Sequence, residues 1–179
     1  MTQEGQLHVA VSEFETPRLA LRRLTEEDAP FILGLLNEPT FIDNIADRGV
    51  RTDEQARAYL RDGPMASYAR FGFGLLLVSL RPAGTPIGIC GILKRDALDD
   101  PDLGYALLPS FCGSGYAHEA ASGTLDHVRV VPGVQRVSAI TKPANAPSIR
   151  LLEKLGFRYE RLVRLTEGAE ENRLFMRDL

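Results

Sequence analysis

Apolar positions recur along the chain in two rhythms, and the order in which they alternate predicts the architecture. Arg18 to Leu24 (RLALRRL) sets Leu19 and Leu21 on one face with charged residues between, a strand pattern. Thr25 then opens a helix with Glu26, Glu27 and Asp28 in its first turn, where acids favour the positive end of the dipole. Phe31, Ile32, Leu35 and Leu36 follow at helical spacing until Pro39 stops the run. Thr52-Asp53-Glu54-Gln55 is a second cap, predicting a helix through about Tyr68. Phe71–Leu80 and Ile87–Leu93 are apolar and flank the turn-rich Arg81–Pro86, which reads as a hairpin.

The second half repeats the alternation. Leu103–Leu108 is a strand, and the glycines at 113 and 115 lead into a helix to about Val130 with Ala117, Ala121, Leu125 and Val128 inside. Val137–Thr141 is a short strand, Ser148–Leu155 a helix, and Phe157–Leu165 and Arg173–Met176 close the chain as strands. There is no internal repeat, low-complexity tract or linker. Residues 1–14 read as a polar lead-in and 15–179 as one domain, a mixed α/β sheet with helices on both faces.

Composition narrows the function classes. The 179 residues suit a single core, and 21 Lys+Arg against 24 Asp+Glu give a formal charge of -3, without the basic face of a general nucleic-acid binder. Two cysteines, Cys90 and Cys112, and three histidines argue against a disulfide scaffold and a structural zinc site. No basic-then-apolar leader opens the chain, and no apolar run reaches the roughly 20 residues that span a bilayer. The expectation is a cytoplasmic protein with free thiols, no metal, and small molecules or proteins as partners.

The segment richest in chemistry is Leu103–Ala120 (LGYALLPSFCGSGYAHEA). A strand ends, glycines allow a sharp turn, and a helix start offers unpaired N–H groups at its positive end, a natural seat for phosphate. His118 stands where a dinucleotide fold has its third glycine, and no Gly-Lys-Ser/Thr occurs anywhere. What remains is a short G-x-G-x-A turn, which also serves as a plain strand–helix connection. In Asn145–Phe157 (NAPSIRLLEKLGF), Pro147 suits a first helical turn and Gly156 a helix stop. Asn145 and Ser148 are placed to meet a ligand or simply to cap.

With TPRLALRRLTEEDA (16–29) and IGICGIL (87–93), these segments resemble the GNAT acyltransferase superfamily, in its RimJ/RimL-like branch, over nearly the whole chain. The resemblance implies a mostly antiparallel sheet splayed into a V that holds acetyl-CoA as co-substrate. It assigns the main-chain N–H groups of Gly113, Ser114, Gly115, Tyr116, Ala117 and His118 to the CoA pyrophosphate and Asn145 to the pantetheine arm. The Leu107 N–H would polarise the thioester carbonyl, and Ser148 would protonate the departing thiolate. A homodimer is also suggested.

The sequence departs from the family pattern at several points. A tyrosine acid often precedes the Glu-Lys-Leu-Gly-Phe stretch, and here that position is Leu152. Cys112 and Ser114 replace frequently basic or polar loop residues, and no Lys or Arg occurs from Asp96 through Val128. The phosphates should then rely on amides, with Arg150 or Lys154 nearby, and binding should depend weakly on salt.

Transfer to an amine needs a base, and Asp102, opening the Leu103–Leu108 strand, is the first candidate; Glu119 and His118 are fainter ones. Asp96, Asp99, Asp100 and Asp102 also read as a plain solvated acidic loop, and between the two readings as a loop that attracts a cationic amine. Tyr105 either lines the acceptor pocket or packs. Thr40–Thr52 is expected to shape the acceptor site, with a protein N-terminus or a small primary amine as acceptor. A non-catalytic acyl-CoA-binding module would carry the same motifs.

Overall fold

The computed structural model describes residues 13–179. Its eight strands form one sheet in the order β1-β2-β3-β4-β5-β6-β8-β7. They are β1 (Phe14–Glu15), β2 (Leu19–Arg23), β3 (Leu75–Leu80), β4 (Thr85–Leu93), β5 (Asp102–Leu107), β6 (Arg136–Thr141), β7 (Arg158–Val163) and β8 (Asn172–Asp178). Every neighbouring pair is antiparallel except β5–β6. Most of the lead-in expected over 1–14 lies outside the described residues. Phe14 itself belongs to β1, where it faces Leu21.

The helices divide between the two faces. Helices α1 (Ala29–Leu36), α2 (Pro39–Asn44), α3 (Asp53–Leu60) and α4 (Ala66–Phe71) precede β3, whereas α5 (Tyr116–Val128) and α6 (Ala146–Lys154) flank β6. Side chains alternate across a strand, so Leu75 and Leu77 join Ile32, Leu35, Ala56 and Leu60 on one face. Leu76 and Val78 join Ala121, Leu125 and Leu152 on the other. Both faces of the central strands are therefore covered, which is why β3 and β4 read as nearly continuous apolar runs.

Three boundaries differ from the sequence reading. Pro39 stops α1 but also starts α2, at whose first turn its missing N–H is harmless. The helix expected through Tyr68 is interrupted by a π-helical turn over Arg61–Met65, because Pro64 cannot donate to the ladder and the chain widens around it. Helical winding then persists to Phe71 and closes on Gly72 at φ 76°, so β3 begins at Leu75 rather than Phe71.

One irregularity positions the site. β5 and β6 pair in register only at Asp102 and Ser138, where the Ser138 N–H donates to the Pro101 carbonyl at 2.8 Å. Beyond that point no ladder joins them, and the sheet opens into a V with Asp102 at its apex.

Candidate active site

A cleft of about 1550 Å³ runs through the V, large for a small-molecule site. Its walls include β5, the start of α5, the start of α6 and the α2–α3 segment. β5 divides the space. Leu103, Tyr105 and Leu107 pack toward α5 and α6, and Ala106 toward α1–α3. Side-chain alternation puts Asp102 and Gly104 on the same face as Ala106.

The backbone of β5 is oriented as well. The Leu108 N–H donates to the Ile87 carbonyl on β4 at 2.8 Å. Backbone groups alternate along a strand, so the Leu107 N–H turns away from β4 toward the splay.

At one end, Gly113 and Gly115 adopt φ of 82° and 83°, a left-handed conformation costly for other residues. Gly115 is the N-cap of α5, and no side chain caps that helix. The first-turn N–H groups of Tyr116, Ala117 and His118 thus have no intrahelical partner. Gly113, Gly115, Ala117 and His118 line the cleft, whereas Ser114 and Tyr116 do not.

This mouth is not free of positive charge, which corrects the expectation from the local sequence. Arg18, from the β1–β2 turn, reaches across to it. Its Nε donates to Glu119 Oε2 at 2.6 Å, its Nη1 donates to the Ser114 carbonyl at 2.9 Å, and its guanidinium lies 4.4 Å from the Tyr116 ring centre. Nη2 makes no hydrogen bond among the described residues and lies beside Gly115, where an added Cβ would sit 3.3 Å from it. Glu119 is consumed by this clamp: Oε1 also accepts from the Thr16 hydroxyl at 2.6 Å and from the Arg18 N–H at 2.8 Å. Burial raises its carboxyl, but these bonds outweigh burial and hold it below the usual range. It is a poor base.

At the α6 side, Asn145 is the N-cap, with Oδ1 accepting the Ser148 N–H at 3.2 Å. The capping reading therefore holds for its oxygen, although the residue also lines the cleft. The Ser148 hydroxyl lies 2.8 Å from the Tyr105 hydroxyl, a bond that bridges the two arms of the V. Burial pushes the Tyr105 phenol up to about 12, so it carries its proton at neutral pH. Arg150 and Lys154 line the cleft as expected.

The acidic loop separates into different environments. Asp100 pairs with Arg136 at 2.8 Å, and Asp96 and Asp99 do not line the cleft. Only Asp102 does, with 1 % of its side chain exposed. Its Oδ2 accepts from Arg95 Nε at 2.9 Å, while Oδ1 has no hydrogen-bond partner. Burial raises its pKa, and Arg95 only partly offsets that. A carboxylate with a raised pKa and an unused oxygen suits proton uptake.

Sequence reasoning missed Arg18 as a loop cation, because its partner Glu119 lies 101 residues away and no periodicity links them. The Tyr105–Ser148 bond, between positions 43 apart, was equally invisible. Cys90 is buried as expected, and its thiol is pushed up to about 12 by burial. Cys112 is exposed, and burial of its sulfur raises it too, against a nucleophilic role. No cluster of three or more His, Cys, Asp or Glu is placed to hold a metal among the described residues, and no helix there is long and apolar enough to cross a membrane.

Known proteins share this fold. A family model described as an acetyltransferase (GNAT) domain matches residues 18–158. The uncharacterized N-acetyltransferase p20 of Bacillus licheniformis is 29% identical over 160 residues, covering 87% of each chain. The crystal structure of an acetyltransferase from Agrobacterium tumefaciens str. C58 superposes with a TM-score of 0.78 at 23% identity, over 97% of this chain and 98% of that one. RimL, a ribosomal L7/L12 α-N-protein acetyltransferase solved with coenzyme A, gives a TM-score of 0.77 at 16% identity, over 92% of this chain and 96% of that one.

Proposed function

Because the chain belongs to the GNAT acetyltransferase family, we propose that it moves an acetyl group from acetyl-CoA directly to a primary amine in a ternary complex, as a RimJ/RimL-like enzyme. The observation that carries this reading is the alignment of an uncapped glycine-rich helix mouth with an inward-facing N–H on a splayed strand. Two free thiols and no disulfide fit work in the cytoplasm.

The diphosphate of CoA sits on the N–H groups of residues 113–118, with Arg18 Nη2 as the adjoining cation. Asn145 contacts the pantetheine arm from the start of α6. The arm follows β5 into the splay and brings the thioester carbonyl to the Leu107 N–H. Fixing both substrates in one cleft removes much of the entropic barrier. The neutral amine attacks the carbonyl carbon, forming the C–N bond, and the oxygen takes negative charge against the Leu107 N–H. The amine proton passes through a cleft water to Asp102, since that carboxylate is too enclosed for direct contact. As the C–S bond breaks, the sulfur takes a proton from the Ser148 hydroxyl, which is replenished from Tyr105; the Tyr105 phenolate then regains a proton from cleft water as Asp102 releases the one it took. The products are the amide and CoA thiol, and no covalent enzyme intermediate forms.

The test is thiol release from acetyl-CoA across a panel of amino acids, peptides, polyamines and aminoglycosides. Acceptor-dependent release with a matching acetylated product supports the transferase. Tight CoA binding with no turnover on any amine would replace it with an acyl-CoA-binding module.

A further inference from the structure

The arm of the cleft beyond Asp102 carries chemistry that the acetyl-transfer steps do not use. Arg48 lines it from the α2–α3 segment, together with Tyr59 of α3 and Arg95, which follows β4. Arg48 forms no ion pair among the described residues, in contrast to Arg51 and Arg57 nearby, which pair with Asp47 and Asp53. The Tyr59 hydroxyl makes no hydrogen bond there, although much of the residue is buried. Arg95 spends Nε on Asp102 and leaves both terminal nitrogens unbonded.

Arg48, Tyr59 and Arg95 line the same cleft, and Arg95 is fixed there by its bond to Asp102. Burial raises the Tyr59 phenol, and the charges of Arg48 and Arg95 both act to lower it. The other acidic residues lining the cleft are Glu15, Glu119 and Asp126, at the opposite mouth, which leaves Asp102 alone against two arginines. The segment that presents Arg48 is well held. The Asn37 amide donates to the Val50 carbonyl at 2.8 Å, Arg51 donates to Asn37 Oδ1 at 2.9 Å, and Asp47 accepts the Gly49 N–H at 2.9 Å. Arg48 is thus displayed by a braced loop, with donors that bond no acceptor among the described residues.

We infer that Arg48, Arg95 and Tyr59 form an anion subsite, and that the acceptor is a primary amine carrying a carboxylate or phosphate group. The inference rests on the transferase reading and sharpens it. Guanidinium groups bind both oxyanions through paired N–H donors, and a phenol adds one more. Anchored there, the anion would hold the amine on the Asp102 face of β5, with water between it and the carboxylate, on the side away from the Tyr105–Ser148 pair. The arrangement disfavours polyamines and aminoglycosides, whose charges two arginines repel, and so reverses the expectation drawn from the acidic loop.

The test uses matched acceptors that differ only in the anion: glycine against glycinamide, phosphoethanolamine against ethanolamine, with spermidine as the cationic case. In the wild type, kcat/KM should favour the anionic member by about tenfold or more, the worth of one charge-assisted contact. The pair with the larger ratio identifies carboxylate or phosphate. Arg48→Gln should erase the preference through KM, with CoA affinity unchanged, and Tyr59→Phe should reduce it. Equal use of neutral or cationic amines, or a preference that survives Arg48→Gln, would overturn the subsite while leaving the transferase intact. If no amine is turned over, the transferase reading fails, and binding to CoA-saturated protein decides the subsite separately. N-acetylglycine binding tighter than N-acetylglycinamide in the wild type, but not in Arg48→Gln, supports it; equal binding overturns it.

Discussion

The Tyr105–Ser148 pair makes the sharpest demand on the mechanism. The two hydroxyls are 2.8 Å apart, one on β5 and one on α6, and among the described residues each has only the other as a side-chain partner. In the folded ground state their bond contributes about 1 kcal/mol, so Tyr105→Phe or Ser148→Ala should lower stability only slightly. Turnover is another matter. If the pair is one proton relay to the departing sulfur, either substitution breaks it. The loss should be about 10²-fold in kcat, the low end for general acid catalysis, because a thiolate leaves with modest help.

The decisive readout is the double variant. Groups acting as one unit are not additive, so Tyr105→Phe/Ser148→Ala should be no slower than either single variant. Thiol-release kinetics give kcat, and calorimetric CoA titration should show unchanged affinity in all three. Tyr105 is held up to about 12 by burial, so the relay stays protonated through neutral pH and imposes no alkaline limb there. Losses that multiply in the double variant, or a Tyr105→Phe protein with full turnover, would refute the relay.

Other outcomes test neighbouring parts of the account. Arg18→Ala removes a 2.6 Å ion pair and the stack on Tyr116, so stability should fall by about 1 kcal/mol, while CoA affinity falls about tenfold and its salt dependence flattens in titrations at two ionic strengths. Asp102 has a raised pKa, so wild-type kcat/KM should decline as pH falls through that value, and Asp102→Asn should lose both rate and this acid limb. A carboxyl raised in the fold is less stable ionised there than in the unfolded chain, so stability falls as pH rises through the folded value. Asp102→Asn should therefore melt no lower than the wild type at neutral pH. Asp28 is the opposite case. Burial raises it, but two Arg22 bonds and the Thr25 N–H outweigh burial and lower it. Its contribution is present above the unfolded carboxyl value and is lost as pH falls through the lowered folded value. Urea melts should accordingly show Asp28→Ala about 1–3 kcal/mol less stable at neutral pH, with the gap closing in acid.

What was legible in the sequence follows from how far apart the partners lie. Leu19 and Leu21, or Ala121, Leu125 and Val128, declare their buried face by spacing alone, because one element carries the whole pattern. The glycine turn was readable because the strand, the φ-permissive residues and the helix start are contiguous. The π turn at Arg61–Met65 was hidden because one proline leaves several local solutions, and the continuation to Phe71 depends on Gly72 accepting a left-handed cap. The charge at the α5 mouth was misjudged because Arg18 arrives from the distant β1–β2 turn. The acidic loop looked uniform in sequence, yet pairing order put Asp102 alone at the apex, opposite Ser138, and Asp100 against Arg136 on the outside.

The central claim is that one helix mouth and one strand edge together hold an acyl-CoA for transfer, and a crystal structure with CoA bound tests it most directly. The account predicts the diphosphate on the N–H groups of residues 113–118 with Arg18 Nη2 in hydrogen-bonding distance, and the sulfur in the splay near Leu107, Tyr105 and Ser148. A diphosphate seated away from that mouth, or a pantetheine arm that never enters between β5 and β6, would contradict it.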